Sequence, residues 1–132
     1  MNNFFKFPIL AILIAFVTTA CSNKLYECNS DQSKQKLENE VQTILINLKE
    51  IKLRMYFKDA IEVLSGQDDR KCLANVEWFY KKDGKELPIE KGTLVFNIFK
   101  NPINKDHIMI FPELTLITVS ELIQKGEELP DN

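Results

Sequence analysis

Leu37, Val41, Ile44, Leu48, Ile51 and Met55 recur at intervals of three and four, with Leu45 widening the stripe. Glu38, Asn39, Gln42, Asn47 and Lys49 fall elsewhere on the wheel, so the pattern predicts an amphipathic helix of about four turns, from about Leu37 to Leu53. Asp31 and Ser33 are candidate caps for its entry, and Glu50 and Arg54, four apart, could pair on its surface. Residues 57–65 fit two periods. Phe57, Ala60, Ile61 and Leu64 have helical spacing, whereas Ile61 and Val63 around Glu62 suit a strand. The strand reading is preferred because a turn through Gly66-Gln67-Asp68-Asp69 then leads into the next strand.

From Cys72 the period becomes two. Cys72, Ala74, Val76, Trp78 and Tyr80 alternate with Asn75, Glu77 and Lys81. Lys82-Asp83-Gly84-Lys85 supplies a hairpin, Asp-Gly being the strongest short hairpin signal. Gly92 to Lys100 reads as a strand with apolar residues on both faces, as expected of a central position. A turn over Asn101 to Asp106 leads to a strand at His107 to Phe111, stopped by Pro112. Thr118 to Gly126 reads as a short helix, with Thr118 as N-cap, Glu121 completing a capping box and Gly126 closing the end. The expected fold class is α+β: an N-terminal amphipathic helix packed on an antiparallel meander of three or four strands, then a short C-terminal helix.

The start of the chain has a different pattern. Asn2 to Lys6 is polar with one positive charge, Phe7 to Val17 is apolar and uncharged, and small residues precede Cys21. The apolar run falls short of the roughly twenty residues needed to span a bilayer, so it reads as a removable signal and not as a membrane helix. Val17-Thr18-Thr19-Ala20-Cys21 resembles the lipobox of bacterial lipoproteins; Ala20 matches, and Thr18 stands where Leu is usual. The resemblance implies cleavage before Cys21 and acylation of its thiol and amino group, a palmitate-type anchor in the cell envelope. Ser22, where an inner-membrane retention signal would place Asp, favours the outer membrane over the inner. The resulting division is a signal peptide over 1–20, a tether and helix entry over 21–36, and a single α+β domain over 37–132.

Composition narrows the function. Residues 21–132 carry 16 basic and 19 acidic side chains, because Lys6 is the only charge in the leader. That balance, without a basic aromatic cluster, argues against nucleic acid as a partner. With Cys21 lipidated, two cysteines remain, Cys28 and Cys72, and in the oxidising periplasm the expectation is that they pair as a disulfide. The bridge would close a loop of about 45 residues. Cys28, the helix after it and Lys71-Cys72-Leu73-Ala74 also resemble a pattern in small uncharacterised exported bacterial proteins. There one cysteine precedes a helix and the second opens a strand. That resemblance spans about two thirds of the mature chain and implies no activity.

No catalytic residue, metal site or cofactor is expected. His107 is the only histidine and reads as a surface or edge residue; one histidine with both cysteines bridged leaves too few ligands for zinc. Asp68-Asp69, Glu127-Glu128 and Asp131 read as solvated acids, and calcium-loop and phosphate-loop spacings are missing. In Trp78-Phe79-Tyr80 a strand puts Phe79 on the face opposite its neighbours, and Phe79 with Phe99 is a candidate interaction patch. The expected function is therefore a membrane-anchored envelope lipoprotein, held by lipid on Cys21. It would act as a non-catalytic protein-interaction module for an envelope protein: an inhibitor, an assembly accessory or an immunity type. The alternatives are a carrier of a small apolar ligand between helix and sheet, and a carboxylate-based hydrolase.

Overall fold

A computed structural model describes residues 24–104 and 107–130. Cys21, the leader and Asp131 lie outside the described residues. The elements run α1 (Asp31–Asn47), β1 (Leu53–Ser65), β2 (Asp69–Lys82), β3 (Lys85–Lys100), β4 (Ile108–Pro112) and α2 (Leu116–Glu127). The strands form one antiparallel sheet in the order β1-β2-β3-β4, so the arrangement is α+β with a four-stranded meander between two helices.

The sheet owes its order to strict alternation. Cys72, Ala74, Val76, Trp78 and Tyr80 of β2 are buried, and so are Leu94, Phe96 and Ile98 of β3. Leu53, Met55, Phe57 and Ala60 extend this face on β1, Ile108 and Ile110 on β4. Leu37, Val41 and Leu45 of α1 join the same core, as do Val119 and Leu122 of α2. α1 packs against both edge strands, β1 and β4, while α2 lies against β2 and β3. A sheet whose two edges meet one helix is strongly curled, in keeping with the twist of antiparallel strands. The Asp83-Gly84 hairpin forms as expected, with both residues at positive φ (53° and 77°), as a two-residue type I′ turn requires.

Several boundaries differ from the sequence reading. α1 starts at Asp31, and its N-cap is Ser30, not Asp31 or Ser33; the Ser33 amide donates to Ser30 Oγ at 3.1 Å. Residues 31–36, the expected helix entry, thus already belong to α1. α1 ends at Asn47 in a Schellman motif, in which Lys49 takes φ 64° and the Glu50 amide donates to the Leu45 carbonyl at 2.8 Å. Ile51 is therefore 70 % exposed in the connection, and Met55 is a buried strand residue. Glu50 and Arg54 share no helix, and Arg54 faces Glu86 instead, at 3.8 Å. The N-cap of α2 lies three residues before the expected one. Thr115 is the N-cap, accepting from the Thr118 amide at 3.2 Å, and Glu128, not Gly126, is the C-cap. β3 reaches back to Lys85 because Pro88 is accommodated at a bulge opposite Trp78 and Phe79.

The first described residues are bound tightly to the sheet. Cys28 and Cys72 form a disulfide with their Cα atoms 5.6 Å apart. Arg70 donates to the Tyr26 carbonyl at 2.7 Å, and its Nε lies 2.8 Å from Glu62 Oε1. On the outer edge of β1, the Ala60 amide donates to Asn29 Oδ1 at 3.0 Å and the Phe57 amide to Glu38 Oε1 at 3.4 Å. Side chains from α1 and its entry thus occupy edge amides that would otherwise invite another strand.

Candidate functional site

The sheet face turned away from the core carries the residues between the buried ones. Its three regions differ in chemistry. At the end where β2 begins, Ile61, Leu73 and Val95 stand in one row across β1, β2 and β3. Beyond them Phe99 of β3 stacks on Phe111 of β4, with ring centroids 5.1 Å apart and planes 10° from parallel. Met109 pairs in register with Phe99. Ile61 is 64 % exposed and Phe111 47 %, so all four strands contribute apolar side chains to this end of the face, with Lys71 and Asn97 standing in the row between Leu73–Val95 and Phe99.

The middle of the face is polar. Asp59, Asn75 and Thr93 form a row, with Asn75 Nδ2 donating to Asp59 Oδ1 at 2.6 Å. Lys58 reaches Glu77 at 3.2 Å. A shallow depression of about 520 Å³ lies here, lined by Lys58, Asn75, Glu77 and Thr93 and by Lys91 beside Gly92. It is a charged saddle, and its lining contains no histidine, cysteine or hydroxyl nucleophile paired with a base.

Phe79 belongs to the third region. Its ring meets Tyr56 edge-on, at 5.1 Å and 88°. The Tyr56 hydroxyl donates to Glu86 Oε2 at 2.5 Å, and the Arg54 guanidinium lies 5.3 Å from the Tyr56 ring centre. The hydrogen bond to Glu86, helped by partial burial, raises the Tyr56 pKa above its ordinary value of 10.0.

Phe79 and Phe99 therefore share a face but not a patch. Phe99 pairs with Asp69, ten residues before Phe79 along β2, a separation of roughly 33 Å at strand rise. Phe99 joins Phe111 and the Ile61 row, while Phe79 is half-covered by Tyr56. The sequence reading missed Ile61 and Phe111 as members. The signal was present in the apolar odd-numbered residues Leu73, Val95 and Phe99, on strands whose even-numbered residues already make the core.

The other candidates fall apart as a constellation. His107 is exposed, just before β4, and its amide donates to the Asn104 carbonyl at 3.0 Å. Asp68 and Asp69 lie exposed at the β1–β2 hairpin, and Glu127 and Glu128 at the exposed end of α2. Among the described residues, no three of His, Cys, Asp and Glu are grouped so as to hold a metal ion. The only buried polar side chain among them is Ser33, whose hydroxyl donates to the Glu27 carbonyl at 2.6 Å. Among the described residues no helix is long and apolar enough to cross a membrane. Comparison of the chain with protein-family models, curated proteins and solved structures returns no match.

Proposed function

We propose that this protein is an envelope lipoprotein, anchored by lipid on Cys21, whose domain binds another envelope protein without catalysis. The observation that carries the binding reading is the apolar surface formed by Ile61, Leu73, Val95, Phe99 and Phe111 on the outer sheet face. It is built on the two central strands and both edges of a disulfide-braced sheet, so it is rigid and preorganised. Rigid apolar surface of this kind is what a protein partner can bury without a large ordering cost. The anchor reading rests on the apolar leader and the Ala20-Cys21 junction.

The space between α1 and the sheet weighs against a carrier of small apolar ligands. Leu37, Leu45, Phe96, Ile98 and Ile110 fill it with almost no exposure, and Phe57 meets Phe96 edge-on at 6.3 Å. A hydrolase would need paired carboxylates in a desolvated cleft. The carboxylates nearest the central depression, Asp59 and Glu77, are engaged by Asn75 and Lys58 at the surface.

The test is a comparison of captured partners. Wild-type lipidated protein and a Leu73→Lys/Phe111→Lys variant are purified from membranes after cross-linking. A species captured by the wild type and lost from the variant, with melting temperatures alike, supports the reading. Identical captures by the two proteins overturn it. Mass spectrometry of the same sample reads the N-terminal acylated cysteine separately.

A further inference from the structure

We infer that the end of the domain formed by the β1–β2 turn and residues 101–104 after β3 rests on the lipid bilayer, with Val63, Leu64 and Ile103 entering its interface. The inference deepens the anchor reading and rests on it.

Three observations meet at this end. First, the chain leading to the anchor is short and its domain end is pinned. Arg70 holds the Tyr26 carbonyl, and the disulfide holds Cys28 against Cys72. Only four residues separate Cys21 from Tyr26, five steps of chain with a reach of at most about 18 Å even fully extended. Acyl chains on Cys21 therefore hold the bilayer within that reach of Tyr26.

Second, apolar side chains project from the same place. Ser65 pairs with Arg70 and Leu64 with Lys71, so the end of β1 is one strand spacing from the residue that holds Tyr26. Val63, at a bulge of β1, is 50 % exposed and Leu64 is 64 % exposed. Residues 101–104 after β3 start alongside, because the Lys100 amide donates to the Asp68 carbonyl at 3.2 Å. They present Ile103, 95 % exposed.

Third, that segment is held in shape. The Ile103 amide donates to Asn101 Oδ1 at 2.9 Å, and the Asn101 amide to the His107 carbonyl at 2.8 Å. An aliphatic side chain kept in water on a braced turn has no role in the core. Beside a lipid anchor it gains apolar surroundings, as side chains of interfacial segments do when they sink roughly 5–10 Å into the headgroup boundary. The strands then stand away from the bilayer, and the outer sheet face is left open sideways to a protein.

The test uses the full lipidated protein in phosphatidylethanolamine–phosphatidylglycerol vesicles doped with phosphatidylcholine, brominated or not on its acyl chains. Leu64→Trp and Ile103→Trp report on this end. Ile51→Trp, beside the Asp83-Gly84 turn at the opposite end, is the control, and wild-type emission from Trp78 is subtracted. Retention of the disulfide and of the circular dichroism spectrum shows that each variant is folded. The expected result is that bromine quenches the first two variants and leaves Ile51→Trp unchanged. Acylated protein with no quenching overturns the seating and leaves the anchor intact. Equal quenching of all three also overturns it, since the domain then has no preferred end. A blue shift without quenching means that protein, a second copy included, covers the site, and is equally fatal. If mass spectrometry finds Cys21 unmodified, the anchor reading fails and the seating fails with it.

Discussion

Gly126 in α2 sits directly over the ring of Tyr80 in β2: a β carbon built on this glycine would lie 2.1 Å from ring carbons of Tyr80. The glycine is inside the helix, where its conformational freedom is a cost, so it serves close approach between helix and sheet. Gly126→Ala should destabilise the domain by about 1–3 kcal/mol through overpacking, although alanine is the better helix former by about 1 kcal/mol. Chemical denaturation of the two proteins checks the sign. A more stable alanine variant would mean that Tyr80 moves aside freely.

Reduction of the Cys28–Cys72 bridge should lower stability markedly. The cysteines are 44 positions apart, and loop closure over that span corresponds to about 4 kcal/mol in the chain-entropy account. Thermal melts with and without a thiol reductant should differ by roughly 10–20 °C for a domain of this size. The Cys28→Ser/Cys72→Ser variant should melt with the reduced protein and be insensitive to reductant.

Leu45 and Leu48, three residues apart on the α1 stripe, should respond differently to truncation. Leu45 has no exposed surface, and Leu48 caps the helix end at 37 % exposure. Leu45→Ala should cost about 2–5 kcal/mol, whereas Leu48→Ala should cost less than about 1 kcal/mol. Equal costs in urea titrations would contradict the end of α1 at Asn47.

The Tyr56–Glu86 hydrogen bond predicts an alkaline signature. The bond favours the neutral phenol, so the folded-state pKa is above the unfolded one. Its stabilisation is complete below the ordinary tyrosine pKa of about 10 and disappears as pH rises through the folded value. Ultraviolet titration should show one tyrosine ionising late. Glu86→Gln, which removes the carboxylate acceptor, should bring that transition back toward the ordinary range, and Tyr56→Phe should delete it.

The displaced boundaries share a physical cause. Both helices begin with a hydroxyl residue that accepts from the amide of a second hydroxyl residue three positions on: Ser30 with Ser33, and Thr115 with Thr118. Either member of such a pair looks like a cap in sequence. Only the burial of Ser33 and Leu37 and of Val119 in the folded domain selects the earlier one. Between α1 and β1 the apolar residues Ile51, Leu53 and Met55 satisfy helical and strand spacing together. The left-handed conformation at Lys49 ends the helix, and no glycine signals it.

Taken alone, the sequence determined the α+β class, an amphipathic helix preceding a meander, the Asp83-Gly84 hairpin and the pairing of Cys28 with Cys72. These follow from local periodicity, turn stereochemistry and cysteine number, all of which act over short stretches or by elimination. Tertiary structure alone decided that Met55 is a strand residue, that Phe79 and Phe99 lie at opposite ends of one face, and that Ile61 and Phe111 join the latter. Strand register is the reason. A period of two states which face a side chain occupies, but its neighbours across the sheet depend on backbone pairing and on the bulges at Lys58, Val63 and Ile89, which local pattern does not encode.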